Sequence, residues 1–252
     1  MMLNESFAGS ESVVHRIDPR FRMAAATALS FVIAVLKGYP SLVLSVVIGV
    51  VMVCAAGLDV WAVTKRVRVV LGFVLLMWAV LPLTYEGEIL FRMGPFPVMR
   101  PGVDLAGQIT LKSMAMTLIF ISLVATMPIA AMGYALSRLR VPDKMVYLLL
   151  ITYRYFFVLA QEHERLVRAA KMRGFRPKTN MHTYRTYAYL LGMLFVRASA
   201  RAKRVYQAMR CRGFSGKFYT LVKFSAHPRN AIFSVLMILL SATLIFFEWS
   251  GR

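Results

Sequence analysis

Acidic side chains are scarce in this sequence: 11 Asp and Glu stand against 31 Lys and Arg in 252 residues. A formal charge of +20 sets the chain apart from ordinary soluble domains. Cysteine is nearly missing too. Cys54 lies in an apolar run and Cys211 beside Arg212. Two distant cysteines give neither a zinc pattern nor a disulfide framework. His15, His163, His182 and His227 are scattered without i, i+3 or i, i+4 spacing, so no metal site and no cofactor is expected. No Walker-type glycine loop occurs, which excludes ATP binding by that route. No Ser-His-Asp or Cys-His arrangement is evident, and the chain does not read as an enzyme. The opening MMLNESFAGSES is polar and its nearest charge is acidic, so no signal peptide is expected.

What the sequence has is apolar length. Hydrophobic residues make up 59%, and the mean hydropathy is +0.62; soluble domains are about half apolar. High hydropathy with high positive charge points to a membrane protein with a basic cytoplasmic face. Nucleic-acid binders are basic but lack long uncharged runs, and no recognition module occurs, so no nucleic-acid partner is expected. Five runs are candidate spans: Met23–Leu36, Ser41–Leu58, Val69–Tyr85, Ser113–Leu136 and Ala231–Trp249. Pro128 should break the fourth and leave its cytoplasmic end as a separate short helix. The spans hold almost no ionisable residue, with Lys112 at the edge of one, so they read as scaffold rather than as a substrate path. Glu248 and Trp249 close the fifth as an interfacial anchor.

Placing the N-terminus inside puts twenty-six Lys and Arg on the cytoplasmic side and five outside, which favours N-in, C-out. Region 137–230 is then cytoplasmic. It carries apolar patches among charges, with Leu148, Ile151, Tyr155 and Leu159 at helical spacing, and reads as long amphipathic helices. The expected fold class is therefore all-α: a polytopic membrane protein with about five transmembrane helices plus these cytoplasmic helices. Its parts are residues 1–136, 137–230 and 231–252. Arg154, inside Thr152-Tyr153-Arg154-Tyr155-Phe156, reads as a cation–π or interfacial anchor.

One stretch occurs twice. RLVRAAKMRGFRPK at 165–178 aligns with RVYQAMRCRGFSGK at 204–217. The copies share Arg165/Arg204, Ala169/Ala208, Arg173/Arg212, Gly174/Gly213, Phe175/Phe214 and Lys178/Lys217. A helix stop explains part of this: Gly takes the left-handed position, Arg offsets the helix dipole, and Phe packs back near Ala170 or Met209. It explains Arg over Lys weakly and the doubling not at all. A guanidinium on a rigid helix end suits bidentate binding to a carboxylate, so two matched cationic ends suggest two matched acidic sockets on a partner. The flanking Arg165, Arg168, Lys171 and Arg176 at the first copy and Arg201, Lys203, Arg204, Arg210 and Lys217 at the second are for the most part read as a surface for anionic lipid.

The order of motifs resembles the T component of energy-coupling factor transporters, the CbiQ/EcfT family. His15-Arg16-Ile17-Asp18-Pro19-Arg20 looks like its opening signature. Thr126-Met127-Pro128, Leu139-Arg140-Val141-Pro142 and Thr152-Tyr153-Arg154-Tyr155 look like its middle. The Arg-Gly endings are similar to its paired Ala-Arg-Gly motifs, with Met172 and Cys211 standing in place of Ala. Arg-Cys-Arg-Gly-Phe followed by Gly216 is more like the cobalt/nickel subgroup. The resemblance implies a multi-pass subunit of the inner cell membrane. Its coupling helices would dock by Arg173, Gly174, Arg212 and Gly213 into two ABC-type ATPase subunits, and it would drive a separate substrate-binding membrane subunit. Two other readings stay open from the residues: a conventional importer permease with its own substrate path, and a non-transport membrane protein that binds anionic lipid.

Overall fold

The computed structural model describes residues 17–85, 88–93, 96–139, 141–216 and 228–250. His15, Arg16, Arg140 and Lys217, named above, lie outside the described residues. The described chain is all-α apart from one hairpin. Its helices are α1 (Pro19–Val35), α2 (Tyr39–Ala55), α3 (Val60–Thr84), α4 (Arg100–Leu123), α5 (Ile129–Arg138), α6 (Asp143–Met172), α7 (Met181–Cys211) and α8 (Pro228–Ser250). The chain divides into two compact units, Met1–Ala135 with Lys223–Arg252, and Leu136–Val222.

The first unit is built around α4, which packs against α1, α2 and α3, while α8 packs on α1 and α2. α3, α4 and α8 are long and apolar enough to cross a membrane. α1 and α2, at 17 residues each, reach the lower end of what spans a bilayer. Large apolar side chains cover the outside, among them Phe73, Leu75, Leu76, Ile238 and Phe246. Exposure on that scale marks a lipid-facing surface. The interior is narrow. Leu29, Ile33, Leu42, Ile119, Leu123 and Leu244 are fully buried, with Ser41, Ser45, Ser122 and Thr126 among them. Each of these hydroxyls bonds a carbonyl three or four residues back on its own chain, so small polar residues line close contacts at no cost in lost hydrogen bonds. The approach is tightest at Gly102, where a Cβ would lie 2.5 Å from the Leu81 carbonyl oxygen. No larger residue fits there without moving α3 off α4.

Helix starts follow local chemistry. Asp18 accepts from the Arg20 amide with Pro19 at the first position of α1, and Asp59 accepts from the Trp61 amide at the start of α3. α2 has no cap of its own. The Glu248 carboxylate, at the far end of α8, supplies one: it accepts from the amides of Lys37 (3.1 Å) and Gly38 (3.0 Å) and from the Ser41 hydroxyl (2.6 Å). Trp249 stays exposed, but Glu248 is a tie between helices rather than an interfacial anchor.

The fourth span differs most from expectation. Residues 124–128 do break the helix before Pro128, and α5 is the separate short helix. The apolar helix before it, however, begins at Arg100 rather than Ser113. Pro101 and Gly102 are the reason the sequence reads otherwise, since both discourage a helix interior but are tolerated in a first turn. Lys112 therefore lies mid-helix rather than at an edge. Its ammonium donates to the Ala34 carbonyl (2.9 Å) at the end of α1, where a cation offsets the helix dipole. The hairpin ahead of α4 is also unforeseen. β1 (Ile89–Met93) pairs antiparallel with β2 (Phe96–Met99), and the Gly94-Pro95 dipeptide between them is its signal in the sequence.

Candidate functional site

The second unit is mainly the pair α6 and α7, of 30 and 31 residues. α6 starts behind Pro142 with Asp143 in its first turn, an acid at the positive end of the dipole. α7 starts behind Asn180. The Asn180 side chain accepts from the Thr183 amide (3.0 Å) and hydroxyl (2.7 Å), and Thr183 Oγ1 accepts from the Lys178 amide (3.0 Å). That closed set fixes where the second helix begins.

Both helices end alike. At the end of α6 the Gly174 amide donates to the Lys171 carbonyl (3.0 Å) and the Phe175 amide to the Ala170 carbonyl (3.1 Å). At the end of α7 the Gly213 amide donates to the Arg210 carbonyl (3.0 Å) and the Phe214 amide to the Met209 carbonyl (3.1 Å). This is the Schellman pattern, repeated bond for bond. Gly174 and Gly213 have φ of +84° and +79°. A Cβ on either would meet nothing within 4 Å, so glycine is required by the backbone angle and not by space.

Contacts at three heights run the helices antiparallel. Tyr147 near the start of α6 stacks on Phe214 after α7 (5.4 Å). Glu162 midway along α6 bonds Arg197 of α7 (2.5 Å). Phe175 after α6 meets Tyr187 (5.7 Å, edge-on) and His182 (6.4 Å) at the start of α7. The Phe175 and Phe214 amides bond back to the Ala170 and Met209 carbonyls of their own last turns, and each ring also packs on aromatic residues that begin the other helix. The two Arg-Gly endings consequently lie at opposite ends of the pair, roughly 40 Å apart at 1.5 Å per residue.

Arg173, Gly174, Arg212 and Gly213 are exposed, and Phe175 and Phe214 are half-buried. Neither Arg173 nor Arg212 has a hydrogen bond or ion pair among the described residues. Both guanidiniums are exposed at helix ends. The supporting residues divide. Ala169 and Ala208 are exposed, and Arg204 has no ion pair among the described residues. Arg165 approaches Glu162 (3.7 Å) on its own helix. Arg168 pairs likewise with Glu164 (3.2 Å).

Glu162 is the residue that motif reasoning misses. It is one of only three acids between 136 and 222, and its side chain is 13% exposed. The hydrogen bond from Arg197 holds its carboxyl below the usual carboxylate range; Arg165 and Arg201 act in the same direction and partial desolvation against them. Its signal in the sequence is the rarity of acids: among the three in a cationic pair of helices, one facing the other helix is the natural crosspiece.

The helices long and apolar enough to cross a membrane make this a multi-pass membrane protein, and a match to a transport-protein family makes its class the membrane component of a transporter. The model of the cobalt transport protein family, CbiQ, matches residues 10–223, and the chain belongs to that family. The chain is 30% identical to the cobalt transport protein CbiQ of Rhodobacter capsulatus over 57% of its length and 61% of that protein's. It is 24% identical to the energy-coupling factor transporter transmembrane protein EcfT of Bacillus subtilis, covering 98% and 97% of the two chains. An uncharacterized protein of Methanocaldococcus jannaschii is 25% identical over 69% of this chain and 68% of its own.

Proposed function

We propose that this chain is the coupling subunit of an energy-coupling factor importer. It carries the ATP-driven motion of two ATPase subunits to a separate substrate-binding membrane subunit. One observation carries the reading: two like helix ends, each with an exposed arginine that has no partner among the described residues, at opposite ends of one antiparallel pair. Exchange of α6 and α7 by a half-turn carries each Arg-Gly ending, with its matching amide bonds, onto the other. A dimer of like subunits presents its sockets with that same two-fold relation. Each ATPase receives one ending, and Arg173 or Arg212 grips a carboxylate in its groove with both arms of the guanidinium. The N-terminus and residues 137–230 face the cytoplasm, in accord with the distribution of Lys and Arg. The rest of the basic surface of α6 and α7 lies near anionic lipid.

The substrate is cobalt or nickel ion, held by the partner membrane subunit; the family description and the relatives named CbiQ support the metal. The docking test is a pull-down from detergent with the ATPase and membrane subunits co-expressed. The wild type is expected to retain the ATPases, and Arg173→Ala/Arg212→Ala to lose them together with uptake. Equal retention by both would discard these docking residues. No ATPase on the wild type would favour the lipid-binding reading instead.

A further inference from the structure

Arg22, in the first turn of α1, is 2% exposed. Its guanidinium has a single hydrogen-bond partner among the described residues: Nη2 donates to Thr126 Oγ1. Its Nε is buried with none. A buried cation held by one hydroxyl is costly to keep, and native chains keep such groups where the position has a use. Thr126 passes the bond on, donating its hydroxyl proton to the Ser122 carbonyl (2.9 Å). Arg22 thus stands at the C-terminal end of α4, where a cation also offsets the dipole.

The place matters because α5, the helix that crosses from the first unit into the second between Ala135 and Leu136, begins just after it. Residues 124–128 form the only non-helical joint between α4 and α5, and α5 carries the chain on into the second unit. The start of α1 also bonds α8. The Asp18 amide donates to Asn230 Oδ1 (3.2 Å), and Asn230, 6% exposed, is the third residue of α8. Residues 18–22 therefore bond both to the joint ahead of α5, the helix that leaves the first unit, and to the first turn of α8.

We propose that Arg22 and Thr126 form a latch that stiffens the α4–α5 joint, so that movement of the second unit reaches the membrane helices instead of being absorbed there. Both are positioning residues for transport. This rests on the coupling role proposed above.

The test uses the whole complex in liposomes, with uptake, ATP hydrolysis and ATPase retention measured together. Replacing both partners by apolar groups of similar shape is close to neutral for packing, so Arg22→Met/Thr126→Val serves as the folded variant without the bond. It is expected to retain the ATPases and hydrolyse ATP as the wild type does. Uptake per ATP should fall roughly tenfold, as for loss of one charged hydrogen bond from the coupled step. Thr126→Ser, which keeps the hydroxyl, should restore uptake. Unchanged uptake per ATP in the double variant overturns the latch while leaving the docking sites standing. Loss of ATPases from the double variant overturns it too, by reducing the pair to a packing contact. Absence of ATPases from the wild type sinks the docking reading, and the latch with it.

Discussion

At the scale of single residues, the repeat separates into parts with different duties. Gly174 and Gly213 serve the backbone. Their positive φ with open space around Cβ makes Gly174→Ala or Gly213→Ala a strain of roughly 1 kcal/mol with no clash to relieve. Hydrogen exchange at the Phe175 and Phe214 amides should quicken in these variants, while the rest of α6 and α7 keeps its protection. In the proposed coupling role Arg173 and Arg212 serve a partner instead. Lysine would offset the helix dipole as well as arginine does, but it cannot present a fork. Arg173→Lys/Arg212→Lys should therefore leave both helix ends intact and still weaken ATPase retention. Retention equal to wild type would reduce the arginines to helix stops. The sequence makes this division half legible. Glycine after a cationic helix signals the stop by itself. Where each phenylalanine rests depends on the other helix: Phe175 meets the start of the helix that follows it, and Phe214 reaches back to Tyr147 at the start of α6, a long-range contact that no local pattern carries.

The antiparallel pair, at the scale of elements, is held at its ends by aromatic contacts and in the middle by Glu162. Because Arg197 lowers the folded-state pKa of Glu162, the carboxylate stabilises the pair above the ordinary carboxylate pKa of about 4.3. That contribution is lost as pH falls through the lowered value. Acid should loosen α6 from α7 in the wild type, read as faster hydrogen exchange at the helix midpoints. Glu162→Gln should show the looser pair already at neutral pH and little further change on acidification. A pair equally protected in wild type and variant at every pH would mean that the aromatic ends alone hold it. Among the membrane elements, hydropathy finds α2, α3 and α8 to within a few residues at one end or both. It fails for the start of α4, where Arg100, Pro101, Asp104 and Lys112 dilute the apolar signal. Those polar residues have uses that only packing reveals: Asp104 accepts from the Tyr39 hydroxyl, and Lys112 caps α1.

For the whole molecule, charge is the property that sets orientation, and it is also the property a sequence displays most openly. Nearly two-thirds of the basic residues fall between 137 and 230, so the side on which α6 and α7 emerge decides which side the membrane unit faces. The two cysteines make a direct reading possible. Both are free and exposed. Cys211 precedes Arg212 at one proposed docking end, and Cys54 lies near the end of an apolar helix, so Cys54→Ser leaves a single reporter at the site of interest. A membrane-impermeant maleimide should label Cys211 in inside-out vesicles and not in right-side-out ones. Added ATPase subunits should then slow the labelling, because a socket that receives Arg212 must also cover its neighbour. Labelling from the outer face would reverse the orientation and separate the cationic ends from any cytoplasmic ATPase. Labelling from the inner face that ATPases leave unchanged would keep the orientation and move the docking surface away from the end of α7. The matched geometry of the two endings makes protection at one of them informative about both: a two-fold partner that covers Cys211 places its second socket over Met172 and Arg173.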